Sequence, residues 1–253
     1  ELLGMERTGA DDDFFSLGGD SISAMGLSTA ARRAGYLLRP RDIFAQRTAA
    51  RMAHSMEPLS TVVKAQRVAQ QGVIDGLPIL HSFAAHGGIN QRFAHGVWLQ
   101  VPAELQPQQL EQALRALAGA HRALAGFTRD ERLVVGEPQP AGFSGWVQTA
   151  PIYQAVEACA EDAYTDAVQR LDPASGVMMQ AVLLQHHQQT FGLVLVIHHL
   201  VVDGVSWRVL LDELRQAADA VMAGQQPQLT AEETSLHDWS AVLKNATPAR
   251  AAE

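Results

Sequence analysis

The sequence predicts a small all-α segment followed by an α/β sandwich, a mixed sheet with helices on one face. Three observations carry this. Between Ser21 and Met56 the apolar residues repeat at helical spacing,. From Phe93 onward, short alternating or continuous apolar runs alternate with helical patterns, the order that folds into a sheet carrying helices. Between the two, Glu57-Pro58-Leu59-Ser60 breaks the pattern and Gln70 to Pro78 is rich in Gln and Gly,. The expected organisation is therefore a domain over 1–57, a linker over 58–77 with a short helix from Thr61 to Gln71, and a domain over 78–253.

Composition sets the outer limits. With 47% hydrophobic and 18% charged residues over 253 positions, the chain has the make-up of a globular protein with a real core,. A net charge of −8 argues against nucleic acid or an anionic membrane surface as partner,. No run approaches the roughly 20 apolar residues of a membrane helix. Cys159 is the single cysteine, so no internal disulfide forms, and a reducing, cytoplasmic setting is expected. No basic-then-apolar leader opens the chain. Glu1-Leu2-Leu3-Gly4 reads as the tail of a helix, so the expectation is a fragment of a longer polypeptide.

In the first segment, Asp11-Asp12-Asp13-Phe14-Phe15-Ser16-Leu17-Gly18-Gly19-Asp20-Ser21 is a polar loop. Its two aromatics can plug a small core, and its two glycines allow a sharp turn. Ser21 opens a helix with Ile22, Met25, Leu27 and Ala30 as its apolar positions and Gly35 as its stop. A phosphate on Ser21 would lie at a helix amino terminus, where negative charge is favoured. Pro40–Ala45 and Ala49–Met56 read as two more short helices.

In the second segment, Phe93 to Val101 alternates as a strand. Pro107 starts a helix with Leu110, Leu114 and Leu117 on one face. Leu133-Val134-Val135 and Gly145–Thr149 read as short strands, Ile152–Arg170 as a helix and Gly176–Leu184 as a strand. His186-His187-Gln188-Gln189 is a polar hairpin turn. The stretch Phe191 to Leu214 then concentrates the chemistry. A continuous apolar run, Leu193 to Ile197, ends in two histidines, an aspartate and a glycine, and a helical pattern follows,.

His198 and His199 thus stand at the carboxyl end of a buried strand, where α/β sheets place their chemistry. Adjacent strand residues point to opposite faces, so only one of them can look into a cleft, and the other must be packed. An imidazole there can take or give a proton near neutral pH. Asp203, expected to be buried, should hold a cation or an imidazole in place. Gly204 removes a side chain at a tight turn, and Ser206 can cap the following helix. A metal site of His198, His199 and Asp203 is disfavoured because neighbouring strand histidines diverge, and a serine hydrolase built on Ser206 lacks the G-x-S-x-G elbow.

The run His198-His199-Leu200-Val201-Val202-Asp203-Gly204 resembles the HHxxxDG motif of the condensation-domain superfamily of nonribosomal peptide synthetases. Val201-Val202 before Asp203-Gly204, and Val205-Ser206-Trp207-Arg208 after it, resemble the epimerization branch. The resemblance implies a chloramphenicol-acetyltransferase-like amino-terminal lobe, with His199 facing the active channel and Asp203 mainly structural. In that family the channel runs between two lobes, and a glutamate of the second lobe partners the histidine. Other positions depart from the family pattern. Leu80 and Ser82 replace Gln and Trp of the first motif within Leu77–Phe83. Ala125 replaces the Arg that ends His121-Arg122-Ala123-Leu124, and Gln180 replaces a common Arg. Ser235-Leu236-His237-Asp238-Trp239 resembles the helix start that closes the first lobe.

The stretch Asp11–Ser21, DxFFxLGGDS in pattern, resembles the attachment motif of peptidyl carrier proteins, which are four-helix bundles. This implies that Ser21, flanked by Gly19 and Asp20, carries phosphopantetheine bearing an aminoacyl or peptidyl thioester. Asp20 resembles carriers that feed epimerization domains. Implied partners are a phosphopantetheinyl transferase, an upstream adenylation domain and a downstream condensation domain. The expected activity is L-to-D inversion of the tethered residue. Peptide-bond condensation, with His199 on the acceptor amine, and a non-catalytic interface role are the alternatives.

Overall fold

The computed structural model describes residues 3–5, 7–59, 72–74, 76–136, 143, 145–187, 189–230, 232 and 234–250. The chain divides into two compact units, Glu1–Val68 and Ala69–Glu253.

In the first unit, α1 (Ser21–Arg33) leads through β1 (Tyr36–Leu37) to α2 (Pro40–Gln46), α3 (Ala49–Ser55) and β2 (Glu57–Pro58). Pro40 begins α2, where its missing N–H has no partner to lose,. The Thr48 side chain caps α3, and β1 pairs antiparallel with β2. Phe14, Ala24, Ala31, Leu38, Ile43 and Met52 form the core. The buried stripe of α1 is therefore Ala24 and Ala31 with Leu27 beside them, and Met25 faces solvent, unlike the stripe read from the sequence. Two alanines suffice because Phe14, from the loop before the helix, fills the space above them. The described residues of this unit hold three helices and a two-stranded ribbon. The expected helix from Thr61 to Gln71 lies outside the described residues.

In the second unit, β3 (Gly72–Ile74) lies within the stretch expected to be linker. It pairs with β6 (Arg132–Val135), which pairs in turn with β5 (Phe127–Arg129). The first-motif stretch is a helix, α4 (Pro78–Ala85). Then come β4 (Ala94–Leu99), α5 (Pro107–Ala120), β7 (Val147–Pro151), α6 (Val156–Gln169), β8 (Met179–His186), β9 (Gln189–His198), α7 (Ser206–Met222) and α8 (Leu236–Arg250). The main sheet runs β4-β9-β8-β7. It is mixed, as expected: β9 is antiparallel to both neighbours and β7 is parallel to β8. The turn at His187 between β8 and β9 is an exposed hairpin, and Cys159 is buried within α6.

The layering corrects the sequence expectation. Helices cover both faces of this sheet, not one. Leu193, Leu195 and Ile197 of β9 share a core with Leu110, Leu114 and Leu117 of α5 and Leu210 and Leu214 of α7. Val194 and Val196 point the other way, into a core with Ala160, Ala163 and Ala167 of α6. A strand that is apolar at successive positions has no face to give to water, so the sheet must be covered twice. Small alanines on α6 let it sit close on the valine face.

Where Arg is common in the resembling family, Gln180 is buried in β8, and its contacts explain how it is tolerated. Arg170 Nε donates to its Oε1 over 3.0 Å, and its Nε2 donates to the Gly145 carbonyl over 3.2 Å. The buried amide is thus bonded through both its donor and its acceptor.

Leu195 is fully buried at the centre of β9. Leu195→Ala should lower the unfolding free energy by about 2–5 kcal/mol in urea denaturation, from lost apolar burial plus the cavity left behind. Phe191→Ala, on a half-exposed side chain of the same strand, should cost less.

Candidate functional site

The sequence-predicted histidines sit where β9 ends. His198 is fully buried, and His199, on the opposite side of the chain, lines a cavity of about 630 Å³. Strand alternation thus separates them as expected. The cavity is walled mainly by apolar residues, among them Leu77, Ile79, Val201, Leu236 and Trp239, and Asp203, Ser206 and Glu232 also reach it.

Each histidine has a defined tautomer, set by its backbone partners. The Leu200 N–H donates to His198 Nδ1 over 3.1 Å, so Nδ1 must be the bare nitrogen. His198 Nε2–H then donates to the Asn90 carbonyl at 2.8 Å. Burial pushes the His198 pKa down, the Asn90 bond partly offsets this, and the charge of His199 pushes it further down. His198 is therefore a neutral structural residue that ties the loop after β9 to the loop after α4. Phe83 of α4 packs near its ring, with centroids 6.2 Å apart.

His199 is held the other way round. Its Nδ1 lies 2.6 Å from the Val202 carbonyl, which can only accept. Nδ1 therefore carries the hydrogen, and in the neutral ring Nε2 is left with its lone pair. A histidine whose Nδ1–H is fixed on a carbonyl and whose Nε2 keeps its lone pair is arranged for proton transfer.

Asp203 departs from expectation. It is exposed, not buried. Its Oδ1 accepts from the Val205 N–H at 3.1 Å, the Ser206 N–H at 2.7 Å and the Ser206 hydroxyl at 2.7 Å. The cap of α7 is therefore Asp203, and Ser206 is a donor to it rather than the capping acceptor. Partial burial works against its charge, but the bonds from Ser206 and Val205 and the nearby His199 hold its pKa below the usual carboxylate value. Gly204 differs too: a Cβ there would meet nothing within 4 Å, and its φ is not positive. The turn itself does not require glycine.

In the first unit, Asp20 caps α1 through a capping box. Its side chain accepts from the Ser23 N–H over 2.7 Å, and the Ser23 hydroxyl accepts from the Asp20 N–H over 2.7 Å,. Ser21 follows as the first residue of the helix and is exposed. A Cβ on Gly19 would sit 2.5 Å from the Phe14 carbonyl oxygen, so this position admits only glycine,. Gly18 has a positive φ of 91°. The loop therefore presents an exposed hydroxyl at the positive end of a 13-residue helix,.

The chain matches the family model described as condensation domain over residues 85–252. It belongs to the condensation-domain family. A second model, described as phosphopantetheine attachment site, matches residues 1–55, so a carrier domain precedes the condensation domain and phosphopantetheine is its covalent cofactor. The chain is 31% identical over 244 residues to vanchrobactin synthetase of Vibrio anguillarum, covering 96% of this chain and 8% of that protein. It is 33% identical over 248 residues to chondramide synthase of Chondromyces crocatus, covering 95% of this chain and 6% of that one. It thus spans under a tenth of the length of these two relatives. Among solved structures, the epimerization domain from the third module of tyrocidine synthetase B aligns with a TM-score of 0.60 at 22% identity, covering 72% of this chain and 42% of that one. The X-domain from teicoplanin biosynthesis aligns at 0.59 and 17% identity, covering 75% and 41%. Both share the fold. Among the described residues, no helix is long and apolar enough to cross a membrane.

The condensation domain holds further site-forming residues that sequence reading misses. Asn90 contributes only a carbonyl, which no side-chain pattern reveals. His121, visible in the sequence only as part of a degraded motif, is clasped by two carboxylates, with Nε2 2.6 Å from Glu213 of α7 and Nδ1 3.1 Å from Glu232. Burial works against its charge, but Glu213 and Glu232 prevail and raise its pKa from 6.5 to about 9. Glu232 lines the cavity, so this clasp fixes part of the cavity wall to the end of α5.

Two measurements check this geometry. His121 has a raised folded pKa, so its stabilisation is complete below pH 6.5 and is lost as pH rises through about 9,. Urea unfolding should show a loss on the order of 2–3 kcal/mol across that window, and His121→Gln should flatten the profile. For the cap of α7, Asp203→Ala should cost about 1 kcal/mol, while Asp203→Asn and Asp203→Ser should keep most of the stability.

Proposed function

We propose that this chain is a carrier and epimerizing lobe of a nonribosomal peptide synthetase module: Ser21 bears the phosphopantetheine arm, and His199 moves the α-proton of the tethered residue during L-to-D inversion. The observation that carries this reading is the tautomer of His199. Its Nδ1–H is committed to the Val202 carbonyl, and it lines an apolar cavity in the same chain as a carrier domain. The sequence around the motif, HLVVDGVSWR, and Asp20 before the carrier serine support epimerization over condensation.

The bound arm supplies a thioester, which acidifies the α-proton of the residue it carries. This chain's own residues supply one side of the proton transfer. His199 Nε2 accepts that proton, leaving its electron pair on the carbon, while the Val202 carbonyl keeps the resulting imidazolium oriented. His198 and Asp203 act as supports: they hold the loop and α7 so that His199 points at the cavity. The walls of Leu77, Ile79, Leu236 and Trp239 limit water around the proton in transit. Inversion is complete when an acid on the opposite face, a glutamate of a second lobe as the family resemblance implies, returns a proton to the carbon.

Attachment is tested by incubating the chain with coenzyme A and a promiscuous phosphopantetheinyl transferase and then weighing it. The parent should gain one arm and Ser21→Ala none; a modified Ser21→Ala variant would show that another residue is used. Chemistry is tested in the full-length synthetase, loaded with an L-aminoacyl arm in deuterated water. Hydrolysis and chiral analysis should show the D form with α-deuterium, and His199→Ala should lower its rate by about 10²–10⁴-fold. Peptide formation without α-deuterium would assign the site to condensation instead.

A further inference from the structure

The pairing of β4 with β9 sets Ala94 opposite His198 and His95 opposite Ile197. One step further, the His199 N–H donates to the Phe93 carbonyl over 2.8 Å. Phe93 and His95 are two residues apart, so they project from one face of the sheet, and His199 has one as its direct and the other as its diagonal neighbour. The rings meet accordingly. The His199 centroid lies 4.8 Å from that of Phe93, stacked at 29°, and 3.9 Å from that of His95 at 38°. His95 is half-buried.

We propose that His95 is a positioning residue for His199, the two imidazoles acting as one proton-binding unit that holds a single positive charge. This rests on the reading of His199 as the proton-transfer residue. Two cations in ring contact repel strongly, even with the softened field near a protein surface. Among the described residues, the charged groups acting on His95 are His199 and Asp203. Burial pushes the pKa of His95 down, the charge of His199 pushes it further, and the Asp203 carboxylate pulls back only partly. When His199 takes a proton, His95 therefore stays neutral. The imidazolium is then packed against two uncharged aromatic rings, an arrangement that favours the cation. The same packing, with the Val202 bond, fixes the plane in which Nε2 meets the substrate.

The test is a titration of the whole 253-residue chain with its histidines labelled at Cε1, followed by NMR. Signals are assigned with His95→Phe, His199→Phe and His199→Asn; the asparagine keeps a donor for the Val202 carbonyl and removes the charge. In the parent, the His95 signal should respond twice, once as His199 ionises and once as His95 does, as coupled sites do. In either His199 variant, the His95 midpoint should move to higher pH. A single-step His95 curve in the parent overturns the proposal even where the variants fail to fold, as does an unchanged midpoint in folded variants. In the full-length synthetase, His95→Lys should lower turnover about tenfold more than His95→Phe, because it places a fixed cation on the His199 ring. A smaller loss for lysine than for phenylalanine overturns it. Failure of the wider functional reading looks different: His199→Ala would leave turnover intact while the coupled titration remained.

Discussion

The pairing of β9 with β8 and β4 is the constraint on which the second unit depends. From Gly192 to His198 every residue of β9 is buried, Leu193, Leu195 and Ile197 against α5 and α7, Val194 and Val196 against α6. No residue of that run can move by one register step without exchanging the two cores, so the end of the strand is fixed to within a residue. The histidines stand at that fixed end. Their placement is a consequence of burial along the whole strand and not of anything local to the motif.

From that point, backbone groups do most of the orienting. The Leu200 N–H, the Asn90 carbonyl and the Val202 carbonyl decide which nitrogen of each histidine carries hydrogen. Asp203 then turns the chain into α7 by collecting two backbone amides and a hydroxyl on one oxygen. A loop of this kind has little freedom, because each of these polar groups is bonded. The site is thereby built before any substrate enters.

Much of this is legible in the sequence, and the misses have physical causes. Unbroken apolar runs mark the strands, and strand alternation separates His198 from His199. The same runs carry the signal of a sheet covered on both faces, since Leu193 to Ile197 leaves no polar side. Asp203 misleads because an aspartate beside a buried strand suggests a buried ion pair, whereas an aspartate shortly before a helix is as well suited to capping it. Periodicity places Met25 inward, but Phe14 from outside the helix decides which face is covered. His95 and Glu213 cannot be assigned from the sequence at all. They reach the site through strand register and helix packing, and neither is recorded in local spacing.

The tautomer of His198 has one further implication. Its Nδ1 accepts a backbone N–H, so the ring can take a second proton only by giving up that bond,. Acid would then set two hydrogens against one another at Leu200, on a fully buried ring. The loop carrying His199 would then lose one of the bonds that tie it to the end of β9. The order of that loop in acid therefore depends on a residue that never meets the substrate,.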